Sequence, residues 1–210
     1  MMMKINFTAV SKHFHGRRIF GPLDAELTGG KITAITGRNG SGKSTFLKLA
    51  GHFLSPSAGK ITVAIAGQEL TGENLRRRIA MVTPELRFYD RLTARENMDF
   101  LLGLRGRQLG DETYRALLER VGLEESAVCH SYAGEFSTGM GQRLKMAVLL
   151  ACEVDIWLLD EPGANLDEDG RAMVAREVRA AAERGVLVAL ATNDPGEEAL
   201  ADEVISLAGH

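Results

Sequence analysis

Nine residues, Gly37-Arg38-Asn39-Gly40-Ser41-Gly42-Lys43-Ser44-Thr45, set glycines, a lysine and two hydroxyls in the order G-x-x-x-x-G-K-[ST], directly after the apolar run Ile32–Thr36. Glycines let a backbone curl until successive N–H groups point at one anion, and a helix opening at Ser44 adds the positive end of its dipole. This is chemistry for phosphate. Lys43 is placed to reach the β- and γ-phosphates of a nucleoside triphosphate, and the Ser44 hydroxyl to ligate Mg²⁺. The plainer reading, a Gly-rich turn before an ordinary helix, leaves the Lys-Ser pair, the preceding strand and the following helix as coincidences. A second site completes the first: in Ile156-Trp157-Leu158-Leu159-Asp160-Glu161 an apolar strand ends in two carboxylates. Asp160 is expected at the carboxyl edge of the sheet beside the phosphate loop, holding Mg²⁺ directly or through water, with Glu161 polarising an attacking water. An apolar run ending in Asp-Glu is a weak signal alone and a strong one downstream of a phosphate loop.

The elements that must hold these groups follow from hydrophobic periodicity. Strands are predicted at residues 4–10, 31–36, 60–66, 79–82, 155–159, 186–192 and 203–206, with amphipathic helices at 44–52, 139–152 and 167–183. Short apolar strands alternating with amphipathic helices imply a parallel sheet covered on both faces. Between 82 and 155 the pattern becomes helical only. Thr93-Ala94-Arg95-Glu96 reads as a capping box before a helix through 98–104, and a second helix is predicted over 111–121. The segment 89–135 is therefore expected to form an inserted helical subdomain. No repeat or low-complexity tract interrupts the chain.

Bulk properties narrow the function. The 210 residues suit one compact domain, and 25 basic against 28 acidic residues give a formal charge of −3. No basic excess exists to neutralise a nucleic-acid backbone, so no nucleic-acid partner is expected; Arg76-Arg77-Arg78 reads as a solvated surface run, with a local patch that touches a partner as the alternative. The two cysteines, Cys129 and Cys152, lack metal or redox spacing and are expected as reduced, buried thiols of a cytosolic protein. No stretch reaches the ~20 apolar residues of a membrane span, so any action at a membrane requires a separate spanning polypeptide.

At Phe136-Ser137-Thr138-Gly139-Met140-Gly141-Gln142-Arg143 the chain resembles the signature sequence of ATP-binding-cassette (ABC) ATPases, a helix N-terminus with little side-chain bulk that can face phosphate. The resemblance covers nearly the whole chain. It implies an α/β fold with a phosphate-loop, RecA-like parallel-sheet core (1–88 and 136–210), an N-terminal antiparallel β flap and a helical subdomain. It implies ATP and Mg²⁺ as ligands, the loop residues Gly37, Asn39, Gly40, Ser41, Gly42, Lys43, Ser44 and Thr45 binding nucleotide, and Ser44 and Asp160 holding the metal. Phe14 resembles the aromatic that stacks on adenine, with a core position in the flap as the alternative. Ser137, Thr138, Gly139 and Gln142 would contact the γ-phosphate of ATP held by a second cassette, and Ala164-Asn165-Leu166-Asp167 looks like the loop crossing that interface.

Two positions depart from the family pattern. Pro84 stands where the family's glutamine loop carries glutamine, and proline offers no side-chain ligand; Thr83 or Glu85 would have to replace it. Asn193 stands where the family places a switch histidine; its amide can donate to phosphate but cannot become cationic. The catalytic pair Glu161 and Asn193 is therefore expected to turn over ATP slowly. The resemblance implies the ATPase subunit of a transporter, peripheral on the inner face of the cell membrane, paired with a spanning subunit and a second cassette, identical or not. The short chain and Ser-Thr-Gly signature look exporter-like, including the haem-exporter class. The alternatives are a degenerate cassette that binds ATP with little hydrolysis, and a soluble ABC ATPase of DNA repair or translation.

Overall fold

The computed structural model describes residues 3–207. The described residues form two compact units, one made of residues 3–81, Val154–Glu161 and residues 178–207, the other of Val82–Glu153 and Pro162–Glu177.

The first unit carries two sheets. An antiparallel sheet runs in the order β2 (Arg17–Thr28), β1 (Met3–Phe14), β4 (Ala58–Ile65), β5 (Gln68–Glu69). Along β1 the buried apolar side chains are Met3, Ile5 and Phe7, then Val10. The change from odd to even positions is a β-bulge: Ala9 sits at φ 48°, the register with β2 shifts between Phe7 and Val10, and the Ala9 N–H donates to Asp24 Oδ1 at 2.8 Å. β2 was not predicted, because Gly21 and Pro22 interrupt its apolar pattern; only Phe20 and Leu27 are fully buried along it. β5 was also missed, being two exposed residues long.

The second sheet has the order β6 (Ile79–Val82), β7 (Ile156–Asp160), β8 (Leu187–Ala191), β3 (Ile32–Thr36), β9 (Glu203–Ser206). The pairs β7–β8, β8–β3 and β3–β9 are parallel, in a register that sets Asp160 beside Ala191, Ala191 beside Ile35, and Thr36 beside Ser206. β7 and β8 are buried at every position, which is why they read as unbroken apolar runs. The register aligns the carboxyl ends of the strands at one sheet edge. Helix α1 (Lys43–Ala50) lies between the two sheets' side chains in the core. Its Phe46 is fully buried, stacks on Phe7 with ring centroids 4.4 Å apart, and joins Leu158, Ala189 and Ala191 in one apolar cluster. Two short helices, α2 (Gly72–Arg76) and α8 (Pro195–Glu198), were not predicted. The long helix α7 (Glu168–Glu183) starts in the second unit and ends in the first.

The second unit is built from α3 (Ala94–Gly103), α4 (Asp111–Val121), α5 (Glu125–Val128) and α6 (Thr138–Cys152). Helices α3 and α4 both pack on α6, with Met98, Leu102, Leu118 and Leu144 buried. The capping box is present: Thr93 Oγ1 accepts from the Glu96 N–H at 3.3 Å, and the Glu96 carboxylate accepts from the Thr93 N–H at 2.8 Å. One expectation is corrected. Cys152 is buried, but Cys129 is exposed, because it caps the end of the single-turn helix α5 instead of occupying an inward position on a longer one. Among the described residues no helix is long and apolar enough to cross a membrane.

The Phe7–Phe46 stack makes Phe46 the contact through which the antiparallel sheet and the parallel sheet share a core. Phe46→Ala is expected to cost about 3 to 5 kcal/mol of stability, the range for deleting a buried aromatic ring. A urea titration followed by circular dichroism checks it, and an unchanged midpoint would count against this role.

Candidate nucleotide site

The loop from Gly37 to Gly42 owes its shape to glycines at two positions where no other residue fits. Gly37, at φ 143°, has the Leu207 carbonyl and the Ser41 hydroxyl each 2.6 Å from where a Cβ would stand. Gly42, at φ 100°, has Ile19 Cγ2 at 2.6 Å and Phe20 Cδ1 at 2.9 Å from such a Cβ, so β2 presses directly on the turn into α1. Helix α1 starts at Lys43, one residue earlier than predicted. Its N-cap is Gly42, which has no side chain to bond the first-turn N–H groups, and those donors are left for an anion. The Ser41 Oγ is buried and has no hydrogen-bond partner in the structure, the kind of orphan a bound phosphate or its waters would satisfy.

Lys43 is 7% exposed, and its ammonium donates to the Gly37 carbonyl at 2.9 Å and to Asn193 Oδ1 at 2.9 Å. Asn193 Nδ2 in turn donates to Asn39 Oδ1 at 2.6 Å. The residue at the end of β8 thus grips both the lysine and the loop around it. Two residues that sequence reasoning did not single out deliver Asn193 there. Buried Thr192 accepts the Asp194 N–H on its hydroxyl at 2.9 Å, and Asp194 caps α8 by accepting from Gly196 N–H at 2.7 Å. The readable signal was Asn193-Asp194-Pro195, a cap followed by proline at the first helical position.

Asp160 ends β7 at 3% exposure, aligned with Ala191 on β8. Glu161 follows at φ 50°, a left-handed conformation costly for a residue with a Cβ, held by its N–H donating to the Ala191 carbonyl at 2.9 Å. The donor set suits Mg²⁺: the Ser44 hydroxyl in the first turn of α1 and the Asp160 carboxylate are hard oxygens, and Mg²⁺ characteristically completes its shell with phosphate oxygens and waters. Phe14, at the end of β1, is 38% exposed, which excludes the core alternative. Lys12 Nζ lies 4.8 Å from its ring centroid and is anchored on the Ser55 carbonyl at 2.8 Å.

In the second unit Ser137 caps α6, its hydroxyl accepting from the Met140 N–H at 3.1 Å, with Thr138 exposed beside it. The Gln142 side chain is buried, and its amide donates to the Pro162 carbonyl at 2.7 Å, so it holds the segment leading to Asn165 and Asp167. Arg143, also missed, fixes the far end of that segment. Its guanidinium donates to Asp167 Oδ1 and to the Val121 carbonyl, each at 2.8 Å. The Gly170 N–H donating to the Asp167 carboxylate, then the Arg143 charge, hold that carboxyl below the usual aspartate range. An open cavity of about 540 Å³ is lined by Ser137, Thr138, Gly139, Arg143, Asn165 and Asp167 among others. Thr83 Oγ1 accepts from the Leu86 N–H at 3.2 Å, closing a turn, whereas Pro84 and Glu85 are exposed.

A parallel sheet with a glycine-bounded loop, a buried lysine and an acidic strand end at its carboxyl edge defines a phosphate-loop nucleotide-binding protein. The sequence profile of the ABC transporter family matches residues 20–164. The chain is similar to the glutamine transport ATP-binding protein GlnQ of Escherichia coli, 32% identical over 91% of this chain and 82% of GlnQ. It is also similar to the cytochrome c biogenesis ATP-binding export protein CcmA of Pseudomonas putida, 35% identical over 84% of this chain and 83% of CcmA. Among solved structures, the dimeric ABC transporter cassette MJ0796 superposes with a TM-score of 0.84 at 25% identity, covering 97% of this chain and 94% of that one. A post-hydrolysis state of MJ0796 bound to ADP and phosphate matches equally well, at 0.84. The chain belongs to the ABC transporter family. It is an ATP-binding cassette with the RecA-like core, the antiparallel sheet and the helical elements of that fold, and its relatives include both import and export ATP-binding proteins.

Because Lys43 is a buried cation aimed into the phosphate loop, Lys43→Ala is expected to remove most of the affinity for Mg-ATP. Titration calorimetry of both proteins measures it, and equal affinities would refute the assignment of the loop.

Proposed function

We propose that this chain is the ATP-hydrolysing subunit of an ABC transporter, working with a separate membrane-spanning subunit on the inner face of the membrane. Residues 1–88 and 136–210 are the ATP-binding core and residues 89–135 the helical subdomain. The observation that carries the reading is the bridge from Lys43 through Asn193 to Asn39, which brings the end of β8 onto the phosphate loop while the register of β7 sets Asp160 and Glu161 at the same sheet edge.

In this reading the loop N–H groups and Lys43 hold the β- and γ-phosphates, and Phe14 offers its exposed face to the base. Lys43 exchanges its contact with Asn193 Oδ1 for a phosphate oxygen, and the Asn193 amide, which donates to Asn39 Oδ1 in the structure, turns its N–H to the γ-phosphate. Glu161, set by its left-handed backbone, accepts a proton from the attacking water and orients it in line. Mg²⁺, held by Ser44 and Asp160, would neutralise charge on the phosphates. Ser137, Thr138 and Gly139 at the exposed start of α6 complete the site of a second cassette, and Asn165 and Asp167 lie in the loop that meets it. Support for a membrane partner comes from the second unit, where Tyr89 (55% exposed) meets Phe100 (41%) edge to face at 4.9 Å and Leu104 is 71% exposed. Such exposed side chains are apolar area that a partner would cover. The Ser-Thr-Gly signature favours an exporter. A second reading, a cassette that closes on ATP but hydrolyses little, is favoured by Asn193 and Pro84. A steady-state ATPase assay separates the two, with Glu161→Gln as the inactive control.

If Ser137 and Gly139 complete a partner's site, Glu161→Gln is expected to sediment as a dimer with Mg-ATP and as a monomer without it. A variant that stays monomeric at saturating ATP would point to a different cassette as partner or overturn the paired arrangement. Asn193→His is expected to raise turnover about tenfold, roughly 1.4 kcal/mol off the barrier, while ATP affinity stays nearly constant. The gain arises because a cationic donor strengthens as charge builds on the transferred phosphoryl group. Flat turnover would shift the defect to Pro84, with Pro84→Gln the next variant to assay.

A further inference from the structure

Pro84 leaves the loop after β6 without the glutamine side chain by which it would otherwise be tied, yet its backbone is held firmly by a residue on another element. Lys145 lies in the middle of α6, two turns beyond Ser137. It is 9% exposed, and its ammonium donates to the Thr83 carbonyl at 3.0 Å and to the Pro84 carbonyl at 3.3 Å. Its neighbours on α6, Leu144, Met146, Ala147 and Val148, are all buried and apolar. An apolar side chain would be the default at such a position, and an ammonium there must be matched by oxygen acceptors. Burial lowers the Lys145 pKa from the ordinary lysine range, the Glu85 carboxylate nearby acts to raise it, and Arg87 lowers it further. The two carbonyls accepting its protons belong to the two residues that precede Glu85, the exposed carboxylate of the loop.

We infer that Lys145 is a positioning residue for ATP hydrolysis: its ammonium clamps the main chain at Thr83 and Pro84, and so fixes Glu85 relative to the signature helix in place of a glutamine-borne tie. The inference rests on the hydrolytic reading above. A clamp of this kind acts through main-chain carbonyls, which explains how the loop can tolerate proline at 84: the residue contributes its carbonyl and needs no side-chain ligand. It also couples the loop to α6, so a displacement of Ser137 is carried to Thr83 and Pro84 through the Lys145 side chain.

The test uses the full chain with Lys145→Met, which keeps length and removes charge, and Lys145→Arg, which restores a multi-donor cation. Hydrogen exchange is expected to be about tenfold faster in Lys145→Met at the amides of Thr83 and of residues 85–88, with other amides unchanged, and to return towards wild type in Lys145→Arg. Turnover number is expected to fall about tenfold in Lys145→Met with KM within twofold, and Lys145→Arg to recover most of it. Faster exchange throughout the protein would reduce Lys145 to a structural role and overturn the inference, as would unchanged exchange at those amides, or faster exchange there with unchanged turnover. Wild-type protein that binds Mg-ATP by calorimetry but does not turn it over overturns the hydrolytic reading, and this catalytic role with it. Active wild type with an equally active Lys145→Met overturns only the role of Lys145.

Discussion

The site depends on the placement of one cation out of water. An ammonium at 7% exposure is tolerable only when oxygen acceptors surround it, and Lys43 takes them from the Gly37 carbonyl and from Asn193. Both partners are where they are because of the sheet. Gly37 follows the last residue of β3, and Asn193 follows β8 by two residues; the two strands are hydrogen-bonded neighbours in parallel register. A sheet with antiparallel β3 and β8 would send those two loops to opposite ends, and Lys43 would lose its Asn193 acceptor. The topology is thus a condition for burying the charge, and the buried charge is what a phosphate would meet.

The same logic governs the tightness of the loop. Strand β2 reaches the turn into α1 through Ile19 and Phe20, which leave no space for a Cβ at Gly42. The antiparallel sheet is therefore more than a cover for the parallel one. Through Phe7 and Phe20 it packs on Phe46 of α1, and through Ile19 it bounds the phosphate loop itself. The mechanical stiffness of the loop derives from a sheet whose residues carry none of its chemistry, except Phe14 at the far end of β1.

Much of this was legible in the sequence. The phosphate loop, the acidic end of β7 and the capping box at Thr93 are each written in contiguous residues, where local physics decides the outcome. Helix α4 was predicted at its observed bounds because its apolar residues Tyr114, Leu117, Leu118 and Val121 keep a clean helical spacing and Gly122 ends it in the left-handed conformation. What failed was of two kinds. β2 hides its alternation behind Gly21 and Pro22 and gains its strand state from pairing with β1, a long-range partner. Lys145, Arg143 and Thr192 act through main-chain or short-range polar contacts, and nothing in their neighbours' types announces a buried lysine on carbonyls or an arginine between Val121 and Asp167.

Burial divides the two cysteines, and the division has a practical side. Cys152 is enclosed, with burial raising its thiol pKa, while Cys129 stands exposed at the end of α5 with its sulfur 3.8 Å from the Ser126 carbonyl. Thiolate fraction and access both govern how fast a thiol is alkylated, and burial reduces both at Cys152. A maleimide fluorophore or nitroxide should couple to the second unit at one site in the unaltered sequence. The chain thus carries its own handle for following that unit by optical or magnetic spectroscopy while nucleotide is added.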